Sequence, residues 1–265
     1  MLSLEAVMKR FIALVFVTCF TALFSFAETL ELLTMEYEPF AGAKGNNMWC
    51  EIISNAFARE GVDVKWTSLP NDRCKLLVSE GTNVAFLTGT LVVGQADKPN
   101  FIMNENPLIY LPVIAMYPKD KYATGLGIKG ADDLKGKTVG AILGTGSIAV
   151  LQKAGAILDT ASDKDLMIKK LVAGRYDIAV VGDLVGLDTL QELFPDKVDA
   201  YKYEQVYSSP IDLVFSAKNP GTAAIKSKYD SGISKIKADG TFLRILAKYY
   251  PKGVVNKGIL PKDMQ

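Results

Sequence analysis

The stretch VDVKWTSLPNDRCKLLVSEGTNVAFL, residues 62–87, changes period twice. Val62 to Thr67 alternates apolar and polar side chains, the period of a strand with one buried face. Pro70-Asn71-Asp72 opens a helix carrying Leu76, Leu77 and Val78, and Gly81 stops it. Val84 to Leu87 is then a short apolar run that reads as another strand. Upstream, Leu30 to Thr34 reads as a buried strand, broken by Tyr37-Glu38-Pro39-Phe40 and Gly42. Asn46 or Asn47 can cap a helix over Met48 to Arg59, whose Trp49, Ile52, Ile53, Ala56 and Phe57 recur at helical spacing. Strand, helix, strand, helix, strand implies parallel strands joined by right-handed crossovers.

The pattern recurs downstream. Asp132 to Lys137 precedes a strand over Thr138 to Ile142, and Gly144-Thr145-Gly146-Ser147 turns into a helix from Ile148. A later strand, Ile178 to Val181, ends at Gly182-Asp183. Between these units lie two connections, near Tyr110 to Pro112 and near Ser209 to Asp212, so the chain crosses to a second lobe and returns. The return strand Leu213 to Ser216 leads to a closing helical region with apolar stripes at Ile225, Ile233, Ile236, Phe242, Ile245 and Leu246, broken near Asp239-Gly240. Residues 28–110 and 211–265 form lobe 1, and residues 111–210 form lobe 2.

Composition narrows the chemistry. Half the chain is apolar (49%), enough for a substantial core, and 30 basic residues nearly cancel 29 acidic ones. That balance, with no run of five like charges, leaves no footprint for nucleic acid. The chain has no histidine. Ser-His-Asp triads, Cys-His pairs and histidine-ligated zinc are therefore excluded, and Cys19, Cys50 and Cys74 are too few and badly spaced for a thiolate site. No metal and no cofactor are expected. Lys9 and Arg10 precede the apolar run Phe11 to Phe24, and Ser25-Phe26-Ala27 offers a cleavage site, so residues 1–27 read as a signal peptide. A run of about 14 apolar residues is short of the roughly 20 that span a bilayer. Cys19 follows Thr18 inside that run, which is not a lipoprotein pattern. Cys50 and Cys74 then share an oxidising compartment that permits one disulfide. If their helices lie on opposite faces of the sheet, the bridge is geometrically awkward.

The order of these motifs resembles family 3 of the bacterial extracellular solute-binding proteins. The resemblance rests on Tyr37-Glu38-Pro39-Phe40 after the first strand, and on Asp133-Leu134-Lys135-Gly136-Lys137 followed by Gly144-Thr145-Gly146-Ser147. Gly174-Arg175-Tyr176-Asp177 before Val181-Gly182-Asp183, and Lys237-Ala238-Asp239-Gly240-Thr241 before Tyr249-Tyr250, extend it over the mature chain. Asn71-Asp72-Arg73-Cys74 is similar to a second-helix variant of one branch. The resemblance implies an α/β, two-lobed periplasmic binding protein type II fold: two α/β domains joined by two crossover connections with a ligand cleft between them. It also implies a monomeric periplasmic protein that captures a small polar ligand, does no chemistry on it, and delivers it to an inner-membrane transporter permease. A ligand-sensing receptor and a dehydratase-like enzyme are the alternatives.

In open α/β sheets ligands bind beyond the carboxyl ends of the strands. Lobe 1 aims Tyr37, Phe40, Thr88, Gly89 and Thr90 at such a cleft, and lobe 2 aims Thr145, Gly146, Ser147 and Asp183. The Gly144 to Ser147 turn reads either as a seat for an electron-rich ligand group or as a plain helix cap. Asp183 is implied by the resemblance to recognise an amine, and equally fits a turn aspartate bonding nearby backbone. Tyr37 either roofs the ligand or packs. Arg73 either reaches a ligand carboxylate or pairs with a neighbour such as Asp72. Amino-acid binders of this family place Thr-x-x-Arg after the third strand, whereas here Val92 and Gln95 fall at those positions. A neutral glutamine cannot supply a guanidinium's bidentate pairing. The expected ligand is therefore an amine, an uncharged polar compound, or an acid held by Arg73 or Lys98.

Overall fold

A computed structural model describes residues 28–250 and 257–265. The leader expected over residues 1–27, with Cys19, lies outside the described residues. The strands are β1 (Glu28–Thr34), β2 (Val62–Ser68), β3 (Ala85–Gly89), β4 (Phe101–Ile102), β5 (Ile109–Pro118), β6 (Thr138–Ile142), β7 (Ile157–Ala161), β8 (Ile178–Gly182) and β9 (Tyr201–Ser216). The helices are α1 (Met48–Ala58), α2 (Asn71–Glu80), α3 (Ser147–Lys153), α4 (Lys164–Val172), α5 (Asp183–Leu193), α6 (Thr222–Ala238) and α7 (Thr241–Tyr249). They build two α/β lobes on a shared sheet of order β2-β1-β3-β9-β5-β8-β6-β7, with β4 on β9.

The expected parallel crossovers are present. In the first lobe β1 pairs parallel with β2 and β3, and in the second β6 pairs parallel with β7 and β8. The two connections read from the sequence lie within two long strands, β5 and β9, which pair with each other antiparallel. Tyr110 faces Pro210, Leu111 faces Ser209 and Pro112 faces Ser208, and the register shifts between Val113 and Ile114. β3 pairs with the Ile211 to Phe215 end of β9, whereas β8 pairs with the Val113 to Met116 part of β5. Pro112 and Pro210 have no N–H to give the ladder. The lobes meet along this ladder.

Side-chain direction alternates along the first-lobe strands and sorts the apolar residues onto two faces, both of them buried. Leu32, Ala85, Leu87, Leu213 and Phe215 join the main core, which also holds Cys50 from α1. Leu33, Phe86 and Val214 point the other way, into a second cluster containing Cys74 from α2. Both thiols are buried and free. The disulfide that the thiol count permitted is not formed, because the sheet lies between its two helices. β7 and α4 carried no expectation. β7 is the outermost strand, with only Ala161 fully buried along its length, so it lacks an apolar run that would announce it.

Close approaches at glycine set the packing of the helices on the sheet. A Cβ on Gly140 in β6 would lie 2.0 Å from the Tyr176 ring, and one on Gly232 in α6 would lie 2.2 Å from the Ala56 carbonyl oxygen of α1. Among the described residues, no helix is long and apolar enough to cross a membrane.

Candidate functional site

The carboxyl ends of β1, β3 and β6 open toward one another across the β5/β9 junction. Between them lies a cavity of about 50 Å³, room for a few water molecules. Each wall follows from local structure. The loop after β1 folds back, Tyr37 exchanging backbone hydrogen bonds with Ala41 (3.0 Å each way), which turns the Tyr37 ring to the cavity. The end of β3 supplies Leu87, Thr88 and Gly89, and the turn after β6 supplies Thr145, Gly146 and Ser147. The crossing strands provide the floor with Leu111, Val113, Ser209 and Ile211.

The polar groups of the cavity are tied to one another across the two lobes. Asn71, only 6% exposed, donates from Nδ2 to the Gly144 carbonyl at 2.9 Å, while its Oδ1 accepts from Thr88 Oγ1 at 3.1 Å. The Tyr37 hydroxyl accepts the Gly182 N–H at 3.2 Å. Tyr207 donates to Ser147 Oγ at 2.8 Å, and Thr145 Oγ1 donates to the Ile142 carbonyl at 2.8 Å. Burial holds the Tyr37 and Tyr207 phenols above their ordinary pKa, so both remain neutral donors. Among the described residues, none that lines the cavity carries a formal charge. Ionised groups stand outside it, along a groove of about 1210 Å³ that shares Met35, Tyr37 and Asn71 with the cavity and includes Glu36, Glu38, Asp72, Asp163, Lys164 and Asp165.

Of the residues singled out from the sequence, Tyr37, Thr88, Gly89, Thr145, Gly146 and Ser147 converge on this cavity. Phe40 does not; it is fully buried and stacks on Trp49, ring centroids 4.6 Å apart and planes within 8°. Arg73 is exposed on α2 and Gln95 is exposed beyond β3, both away from the lining, as is Lys98. Thr90 opens a single 3-10 turn that brings Val92 to the cavity in its place. Asp183 begins α5 and its carboxylate accepts the Leu184 N–H at 2.8 Å, the local backbone bond that a turn aspartate makes. It sits behind Tyr37 and is pushed up to about 6 by burial, outside the lining.

Sequence reasoning gave no site role to Asn71, Trp49 or the crossing-strand residues. Asn71 read as part of a helix start and Trp49 as part of an apolar helical stripe, which both also are. Ser209 and Leu111 stood at the crossover with nothing in their types to set them apart.

Two α/β lobes joined by paired crossing strands, with a cavity at the junction, define the type II periplasmic binding fold. No protein-family model and no curated protein matches the chain. Solved structures do. A histidine kinase sensor domain with similarity to periplasmic binding proteins superposes with a TM-score of 0.70 at 15% identity, over 88% of this chain and 97% of that one. The arginine-, lysine-, histidine-binding protein ArtJ from Geobacillus stearothermophilus gives 0.67 at 16% identity, over 87% and 97%. An ancestral amino acid-binding protein, a precursor of cyclohexadienyl dehydratase, gives 0.65 at 20% identity, over 84% and 95%. At these identities the likeness shows the fold, and the site must speak for the ligand.

Proposed function

We propose that the protein is a periplasmic solute-binding protein that captures a small, uncharged, acceptor-bearing solute between its lobes and presents it to an ABC-type permease in the inner membrane. The observation that carries this is an inter-lobe cavity lined, among the described residues, by hydroxyl, amide and apolar groups without an ionised side chain. A zwitterionic amino acid buried there would lack a counter-charge at either end, which is costly in a low-dielectric cleft. Hydrogen-bond accounting points the same way. Thr88 and Thr145 have already spent their hydroxyl protons. Tyr37 and Ser147 accept bonds and keep theirs, and Asn71 keeps its second amide proton. The cavity thus offers a surplus of donors, suited to carbonyl, amide or hydroxyl oxygens. Among the described residues the lining holds hydroxyl, amide and apolar groups, the kind that hold a solute by hydrogen bonds.

The test is native mass spectrometry of the exported protein, followed by calorimetry with matched neutral amides, hydroxy compounds, amines and amino acids. A stoichiometric neutral solute is expected. A tightly held amino acid would overturn the ligand class, and turnover of a prephenate-like substrate would overturn the binding role. A kinase sensor domain shares this fold, so the test also carries a second reading, in which the clamp is read by a signalling partner. Deleting the gene separates the two, through uptake in one case and a transcriptional response in the other.

A further inference from the structure

The cavity and the groove beside it share Met35, Tyr37 and Asn71, and the cavity alone has room for only a few water molecules. A solute whose polar end fills the cavity therefore has the groove as the way out for the rest of its length. Each wall of the groove belongs to a single lobe, so the side chains it presents do not depend on how far apart the lobes stand.

The lobe 2 wall carries two apolar side chains that the core does not use. Leu143, 54% exposed, follows β6, whose last residue Ile142 is already buried. Leu166, 40% exposed, lies in the first turn of α4, off the stripe of Met167, Ile168 and Leu171 that packs into the core. Backbone bonds fix both positions: Leu143 N–H donates to the Ala161 carbonyl at 2.9 Å, and Leu166 N–H donates to the Asp163 carboxylate at 2.8 Å. Scattered surface leucines need no explanation, but these two line one groove from neighbouring elements, with Leu69 and Pro70 lining it from lobe 1. The charged residues of the groove set a sign, since among the described residues five carboxylates stand against two lysines. Glu36 and Asp163 already accept backbone N–H groups of their own loops, and together the five disfavour an anionic group.

We propose that the solute has two parts, a neutral acceptor-bearing head in the cavity and an uncharged apolar arm that passes Tyr37 and Asn71 and lies on Leu143 and Leu166 in the groove. The proposal rests on the solute-binding function proposed above and deepens it, because it names the chemical class: a linear amide or hydroxy compound with an aliphatic or aromatic arm, and not a free acid. A mostly apolar wall beside a few placed polar groups is the usual make-up of a small-molecule site. The head is then chosen by hydrogen bonding, and the arm by the two leucines.

The experiment pairs a probe of the groove with a series of solutes, both on the exported protein. The uncharged dye Nile red reads the apolar wall through its emission. Calorimetry reads straight-chain primary amides from acetamide to octanamide, together with the analogue of octanamide whose arm ends in a carboxylate. Wild type is compared with the double variant Leu143→Ser, Leu166→Ser, and Leu243→Ser, 42% exposed on α7 and outside the groove, is the control. Circular dichroism confirms that each variant is folded, and the comparison of methyl-ended with carboxylate-ended arms needs wild type alone. In wild type, affinity is expected to rise about threefold per methylene, and the carboxylate-ended arm to bind about tenfold more weakly than octanamide. The double variant is expected to lose the dye and flatten the series, and Leu243→Ser to do neither. The arm is overturned if amides bind with no dependence on length, if the carboxylate-ended arm binds as tightly as octanamide, or if the double variant keeps both the dye and the length dependence. A wild type that takes up Nile red through these leucines but binds no amide of any length overturns the head in the cavity, and with it the solute reading on which the two-part solute rests.

Discussion

Asp212 lies buried at the lobe 1 end of β9, and its carboxylate accepts hydrogen bonds from the Tyr229 hydroxyl, from Asn104 Nδ2 at 3.0 Å and from Leu213 N–H at 2.8 Å. Burial nevertheless wins over these bonds and pushes it up to about 6, from an ordinary value of 3.8. A carboxylate raised in the folded state contributes stability that is fully present below about pH 4 and is lost as pH rises through about 6. Asp212→Asn has no such titration. Chemical denaturation from pH 4 to pH 7 is expected to show wild type losing ground to Asp212→Asn, by on the order of 3 kcal/mol across the window; a constant difference would place the proton elsewhere. Tyr37 supplies a second prediction at this scale. Tyr37→Phe removes the acceptor of the Gly182 N–H and one cavity donor, and is expected to weaken solute binding by about 1 kcal/mol, read by calorimetry. That Tyr37 faces the cavity could be anticipated from its place after the first strand. That Phe40 does not was decided by the backward fold of its loop, which delivers the ring to Trp49.

Helices and strands register their neighbours through small residues and caps. Gly232 lets α6 lie directly on the Ala56 backbone of α1, so a Gly232→Ala methyl must force the two helices apart. Thermal melting is expected to show a loss on the order of 3 kcal/mol, and a neutral effect would mean that the helices are not in contact in solution. α4 is held at its start by Asp163, whose carboxylate accepts the Leu166 N–H at 2.8 Å and is held below its ordinary pKa by that bond and by Ser162. Asp163→Ala is expected to cost about 1 kcal/mol at neutral pH by chemical denaturation. That difference should shrink in acid, as protonation disables the wild-type cap. The signal for α4 was present in the sequence, as Ser162-Asp163 followed by Leu166, Met167, Ile168 and Leu171. The edge strand before it was harder to see, because a strand with one partner and one wet side has no need of a continuous apolar run.

At the scale of the whole molecule, solute binding is expected to register as added stability. A solute at 100 times its Kd should add about 2.7 kcal/mol of stability, visible as a rise in Tm. The overall plan follows from the sequence because hydrophobic period and glycine placement are local properties. Alternation over Val62 to Thr67, helical spacing in Met48 to Arg59 and the chain's return near Ser209 dictate two α/β lobes with two crossings. The absence of histidine bounds the chemistry from composition alone, and the family resemblance adds that an arginine is missing at Gln95. The tertiary structure decided which of the converging side chains reach the cavity. It turned the two crossings into one hydrogen-bonded strand pair, put Cys50 and Cys74 on opposite faces of a sheet, left Asp183 bonding its own helix, and made Asn71 the bridge between lobes. Each of those depends on which face of an element meets another element far along the chain, and a one-dimensional period carries no information about that partner.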